Sequence, residues 1–151
     1  MEKEQLIEAL QQIVTVLSNQ KEIHMMQARI FEDQEFTKLA EKYYGHAEEE
    51  RDFQNKFIQR ILDLDGGIKL QPRGEMNLFK DPVEFIKNDF EISKKGVSEL
   101  KELVKASIED PTSYDLLKDY YKDEEEDMYW SQSQLELIEK IGKENWLLKQ
   151  L

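Results

Sequence analysis

The chain contains no cysteine. That excludes disulfides, a thiolate metal site and a cysteine nucleophile, and it suits a reducing compartment such as the cytoplasm. Glycine and proline are scarce, at 6 and 3 residues, so there is little turn chemistry to break up long elements. No glycine-rich phosphate loop occurs, and no His-Glu-x-x-His zinc motif. The 2 histidines and the serines form no recognisable triad pattern. No apolar run approaches the roughly 20 residues that a membrane span needs. Charge begins at Glu2, which argues against a signal peptide. Basic residues number 21 against 33 acidic ones, a formal charge of -12. Such a surface repels nucleic acid and anionic membrane and attracts cations.

What is present is helical pattern. Charged residues make up 36% and hydrophobic ones 39% of 151 residues, the mix of long amphipathic helices around one sizeable core. Leu6, Leu10, Ile13, Leu17, His24, Ala28 and Phe31 follow helical spacing and predict a first helix over about 3–32. A polar joint, Glu32-Asp33-Gln34, precedes a second over about 35–65. Its stripe is Phe36, Leu39, Tyr43, His46, Glu50, Phe53, Phe57, Ile61 and Leu64, and Gly66-Gly67 stops it. Asp81-Pro82 opens a third helix over about 82–108, with Asp as N-cap and Pro at the first helical position. It carries Ile86, Phe90, Ser93, Val97, Leu100 and Val104. After the break at Asp110-Pro111-Thr112-Ser113, a fourth helix over about 113–141 carries Leu117, Tyr121, Glu124, Asp127, Ser131, Leu135 and Ile138. Gly142 ends it, and a short fifth helix fits about 143–150.

The joints between the first and second and between the third and fourth helices are short, so each pair is antiparallel. The link from Gly66 to Asp81 is longer. Helices of about 28 residues measure roughly 42 Å, and about 15 extended residues reach roughly 50 Å. That link can therefore travel the full bundle, leaving the second and third helices parallel. Two antiparallel pairs joined by one long crossover make an all-α, ferritin-like antiparallel four-helix bundle with a short C-terminal helix. The chain reads as one domain, 1–151.

Each stripe is interrupted by polar residues at similar depth: His24, with Gln20 and Lys21 near it; His46 and Glu50, stacked four apart; Ser93; and Glu124 with Asp127. Buried carboxylates are costly unless a metal, a cation or a proton offsets them. Carboxylate and imidazole are good ligands for iron, manganese or zinc. The candidate metal ligands are thus Glu50, Glu124, Asp127, His24 and His46. The same residues also read without a metal. His24 alone on an apolar face suits a satisfied core histidine, His46 a hydrogen bond to a carboxylate, and Lys21 or an arginine a neutralising cation. Glu48, Glu49, Glu125 and Glu126 read as solvated. Met25-Met26 reads as core, and Tyr43-Tyr44, Tyr120-Tyr121 and Trp130 as packing or interface residues.

Several segments resemble bacterioferritin. Ala28-Arg29-Ile30-Phe31 is similar to the end of its first helix. Arg60-Ile61-Leu62-Asp63-Leu64-Asp65-Gly66 and then Leu70-Gln71 resemble the end of its second helix and the start of its crossover. Asp123-Glu124-Glu125, Trp130 and Leu135-Glu136-Leu137-Ile138-Glu139-Lys140-Ile141-Gly142 resemble its fourth helix, and Asn145-Trp146-Leu147 its fifth. The resemblance covers nearly the whole chain. It implies a di-iron centre built from a Glu on the first helix, a Glu-x-x-His on the second, a Glu on the third and a Glu-x-x-His on the fourth. In ungapped register those positions hold Leu17, Glu50 with Phe53, Ser93, and Glu124 with Asp127. His24 stands where the family has a tyrosine beside the iron. The family's haem-ligating Met falls at Arg51, so no haem is expected.

The expected function is a bacterioferritin-like iron-binding and storage shell subunit lacking a complete ferroxidase centre. Its ligand would be iron or another divalent metal at a reduced site, and it would self-associate as a shell or a dimer. Oxidation would then rely on oxygen, on an active ferritin-like partner subunit, or on the reduced site itself. Two alternatives stand beside this: a non-metal structural or interaction bundle with an internal salt-bridge network, and a ferritin-like oxidoreductase with a rearranged metal site.

Overall fold

The computed structural model describes residues 1–69, 71 and 77–151. Leu70, in the stretch that resembles the family's crossover, lies outside the described residues. Five helices follow in order: α1 Lys3–Asp33, α2 Thr37–Asp63, α3 Pro82–Ala106, α4 Pro111–Ile141 and α5 Lys143–Leu148. No strand occurs among the described residues. α1 packs on α2 and α3 on α4, and α5 folds back on α4. The architecture is the ferritin-like four-helix bundle with a short C-terminal helix.

The helix ends are set by local chemistry. Asp81 caps α3 by accepting from the Val83 amide at 2.9 Å, and Pro82 takes the first position, where no amide hydrogen is required. α4 begins at Pro111, earlier than the spacing predicts. Asp110 makes no capping bond there and is instead gripped by Arg60 of α2 at 2.8 Å and by the Ser113 hydroxyl at 2.9 Å. α2 begins at Thr37 because Glu35 turns into the left-handed region with φ 68°. At its other end the same role falls to Asp65, φ 61°, and not to the Gly66-Gly67 pair. The Gly66 amide then donates to the Ile61 carbonyl at 2.9 Å, closing the turn in the Schellman manner. Gly66 is needed for space: a Cβ there would meet Ile61 at 2.8 Å and Ile7 at 2.9 Å.

The crossover is clipped to α1 by two glutamines. Gln11 donates to the Lys69 carbonyl at 2.9 Å and accepts the Lys69 amide at 3.1 Å. Gln27 does the same for Phe79, at 2.6 and 3.0 Å. Each buried amide side chain satisfies both backbone groups of an extended residue. The chain thus passes from the start of α1 to its end, and α3 sets off parallel to α2. Buried Trp146 of α5 donates to Gln134 at 3.0 Å, and the Lys38 amide donates to the Gln150 carbonyl at 3.0 Å. The C-terminal segment therefore closes the end where α2 and α3 begin.

The core falls into two blocks. One contains Leu6, Leu10, Leu17, Phe57, Ile61, Leu100, Leu117 and Tyr120. The other contains Ala28, Phe31, Leu39, Tyr43, Phe85, Ile86 and Trp146. The residues between these blocks on all four long helices are the polar ones.

A candidate metal centre in a divided core

All five sequence-predicted residues, His24, His46, Glu50, Glu124 and Asp127, line one cavity between the two core blocks. The helices deliver them at matched depth. His24 falls between Leu17 and Ala28 on α1, and His46 and Glu50 between Tyr43 and Phe57 on α2. The geometry brings a sixth residue in beside them. Asp89 of α3 is buried, whereas Phe90 is only partly so. The buried stripe of α3 is therefore Phe85, Ile86, Asp89, Val97 and Leu100; it keeps Ile86, Val97 and Leu100 of the predicted stripe and puts Asp89 where Phe90 was expected.

His24 is the pivot. Its Nδ1 lies 2.6 Å from Glu50 Oε1 and its Nε2 lies 2.9 Å from Asp89 Oδ1. A ring that donates from both nitrogens is an imidazolium. Burial alone would lower the pKa of this ring, but Glu50 and Asp89 together hold it well above the ordinary histidine value. Tyr43, His46 and Phe85 pack around the ring, with centroids at 5.4, 5.6 and 6.3 Å. The cation inside the bundle is thus a histidine. Lys21, the expected neutralising candidate, donates instead to Gln54 at 3.2 Å.

His46 behaves in the opposite way. Burial first, and then the positive His24, push its pKa down to about 3, so the ring is neutral. Its Nε2 lies 3.5 Å from Asp127 Oδ1, and that buried atom has no hydrogen-bond partner. Tyr43 Oη and Ser131 Oγ are likewise buried without partners.

The acids gather on the α2–α4 seam. Burial pushes Asp127 up to about 8, with Asp123 and Glu49 adding repulsion. Burial and Glu49 push Asp123 up to about 7. Burial raises Glu124 well above the carboxylate range, reinforced by Glu50 and Asp127. Burial also raises Glu50, even against the attraction of His24. Oxygens of Glu49, Asp123 and Asp127 all lie within 4.8 Å of one another. Three hard oxygen donors at that spacing can hold one divalent cation.

Three residues of this site were missed in the sequence. Asp89 was hidden by the stronger apolar signal of Phe90. Glu49, assigned to a solvated face, is exposed yet joins Asp123 and Asp127. Asp123 entered only through the family resemblance. Met25 and Met26, expected in the core, are 42% and 39% exposed. They border an open apolar hollow with Ile30, Tyr44 and Leu78.

Leu17, Phe53 and Ser93, which the resemblance would align with metal ligands, carry neither carboxylate nor imidazole. Leu17 is fully buried in the first core block. Phe53 stacks near Phe57 and Tyr120, at 6.5 and 5.2 Å. Ser93 borders the cavity. No helix among the described residues is long and apolar enough to cross a membrane.

Comparison with known proteins agrees with this architecture. A family model described as a ferritin-like domain matches residues 7–141. The chain is 36% identical over 131 residues to a bacterial ferritin of Neisseria meningitidis, covering 85% of this chain and 84% of the relative. It is 30% identical over 131 residues to a bacterial ferritin of Synechocystis, with the same coverage of 85% and 84%. Over 150 residues it is 28% identical to a bacterial ferritin of Pseudomonas aeruginosa, covering 97% of each chain. With its divided core, its crossover clipped along α1 and a family match spanning all four long helices, the chain belongs to the ferritin-like family.

Proposed function

We propose that this chain is a subunit of an iron-storage shell that lacks the paired-metal oxidising centre of its family. The observation that carries this reading is the His24 ring spanning Glu50 and Asp89. The positive charge that a metal pair would bring to these carboxylates is already supplied by an imidazolium. Leu17 and Phe53 have no donor atoms, and Ser93 offers only a weak one. The relatives named bacterial ferritin support the storage role, and the surplus of acid, -12 overall, suits the gathering of cations.

Of the predicted ligand set, Asp127, His46 and Glu124 lie outside the His24 ion pair; Asp127 forms the carboxylate trio with Glu49 and Asp123, and Glu124 is not one of it. Iron, as cargo, is held by the three carboxylates on the α2–α4 seam, with the lone pair of His46 alongside. His24 and Glu50 serve the internal ion pair. The apolar hollow at Met25, Met26, Ile30, Tyr44 and Leu78 suits burial against a second copy of the chain. Oxidation of the cargo then falls to dissolved oxygen or to a partner subunit with an intact centre.

The test is aerobic addition of Fe(II), following ferric absorbance against a protein-free control. The expected trace is no faster than the control in its first phase. A fast phase that saturates at a fixed ratio of iron to chain overturns the reading, because only an intact oxidising centre gives a counted burst.

A further inference from the structure

The cavity that ends on the polar belt is also a cleft, open between α1 and α3, with a volume of about 310 Å³. α1 and α3 make only sparse contact with each other, so this side of the bundle is not closed. Val16 and Ile92 stand at the mouth, 50% and 43% exposed. Leu100 and Leu103 continue the apolar wall along α3, away from the polar floor. Gly96 widens it, and a Cβ added there would meet nothing within 4 Å. The floor is acidic, and no Lys or Arg lies among the described residues that line it. The one cation on the floor, His24, is committed to Glu50 and Asp89. Glu124 and Asp127 therefore face the cleft with no basic partner in it. His46, 3% exposed, presents an Nε2 with no hydrogen-bond partner to the same space.

An apolar-walled slot with an acidic, under-bonded floor asks for a ligand with both characters. A hydrated metal ion gains nothing from Val16, Ile92 and Leu100. A neutral oil gains nothing from the carboxyls, and an organic anion finds no free cation among the described lining residues. We propose that the cleft is a binding site for a small primary alkylammonium ion. Its three N–H donors meet Glu124, Asp127 and His46, and its chain lies between the apolar residues of α1 and α3. The volume sits at the small end of ligand pockets and suits a chain of a few methylenes. The proposal goes beyond iron storage: Glu49 and Asp123 take no part in it, while Asp127 and His46 are shared with the iron reading, so metal and ammonium ion compete for them.

The test is calorimetric titration of the metal-free protein with propyl-, butyl-, pentyl- and hexylammonium at fixed ionic strength, with hexanol and hexanoate as controls. Saturable binding at one ion per chain is expected, tightening about fourfold per added methylene. Hexanol should bind at least tenfold more weakly than hexylammonium, and hexanoate not at all. Gly96→Leu, which fills the cleft from a helical position with free space, should abolish binding while leaving the helical circular dichroism unchanged. Glu124→Gln, which keeps the shape of the side chain, should weaken it about tenfold. The proposal is overturned if no ammonium ion saturates, if affinity ignores chain length, if hexanol matches hexylammonium, or if both variants bind as the parent does. A failed titration leaves the iron reading untouched, since the Fe(II) trace is measured without any amine.

Discussion

Replacing His24 with leucine should lower the stability of the metal-free protein by about 3 kcal/mol near neutral pH. Leucine is close in size to histidine, so the loss is not mainly one of packing. What is lost is the only cation paired with Glu50 and Asp89 among the described residues, and both carboxylates are buried. Taking one member from a buried ionic group strands the others without water. Glu50 is already raised by burial, so in the variant it takes up a proton, which caps the loss. Removing all three charges together, as His24→Leu with Glu50→Leu and Asp89→Leu, should recover most of the stability, because apolar side chains of similar volume carry no desolvation penalty. Denaturant midpoints with unchanged slopes would read both effects. If the single variant lost less than about 0.5 kcal/mol, His24 would be an ordinary core residue and not the counter-ion of the belt.

The second large effect is on pH. Asp127 is held up at about 8 and Asp123 at about 7, whereas both titrate near 4 in an unfolded chain. Between those limits the folded chain holds the extra protons, so its stability falls as pH rises. His24 works in the same direction. The stability it contributes is fully present below about 6.5, its unfolded pKa, and is lost as pH climbs through its raised folded value. His46 opposes them only at lower pH. Folded, it stays neutral down to about 3, so its share of stability rises with pH from there to about 6.5. The metal-free protein should therefore lose about 3 kcal/mol between pH 6 and pH 8.5, a figure in which partly exposed Asp123 counts for less than Asp127. Asp127→Asn removes one of these protons and should stabilise the protein at pH 8.5 by about 1–2 kcal/mol. A divalent cation at that pH should restore stability by mass action. Urea midpoints across the pH range check the sign, and a curve that rises between pH 6 and 8.5 contradicts it.

The architecture was legible because it depends on pattern. Apolar spacing marked the long helices, Asp81-Pro82 marked the start of α3, and the length of the Gly66–Asp81 link permitted a crossover. The helix ends were less legible, since Glu35 adopts a positive φ against its residue-type preference, and Asp65 does so beside a Gly-Gly pair that reads as the stronger stop. The belt was legible as carboxylates and imidazoles interrupting apolar stripes, and all five chosen residues line one cavity. Their pairing was not. His24 and Glu50 are 26 residues apart and His24 and Asp89 65 apart, distances at which only the packed bundle decides partners. Asp89 was missed because an aspartate beside a phenylalanine looks like the solvated neighbour, although Ile86, Val97 and Leu100 of the same stripe were read as buried. Glu49 was assigned to solvent, which is where it sits, but solvent-facing acids on two helices can still converge.

The most direct test is a titration of the metal-free protein with Co(II), following visible absorbance and released protons together. The expected result is one ion per chain, with proton release from the raised carboxyls. Asp123→Asn and Asp127→Asn should each abolish binding, and Glu50→Gln should leave it in place. Two ions per chain, with binding lost in Glu50→Gln, would mean that Glu50 belongs to a metal pair and that the His24 imidazolium does not stand in for one.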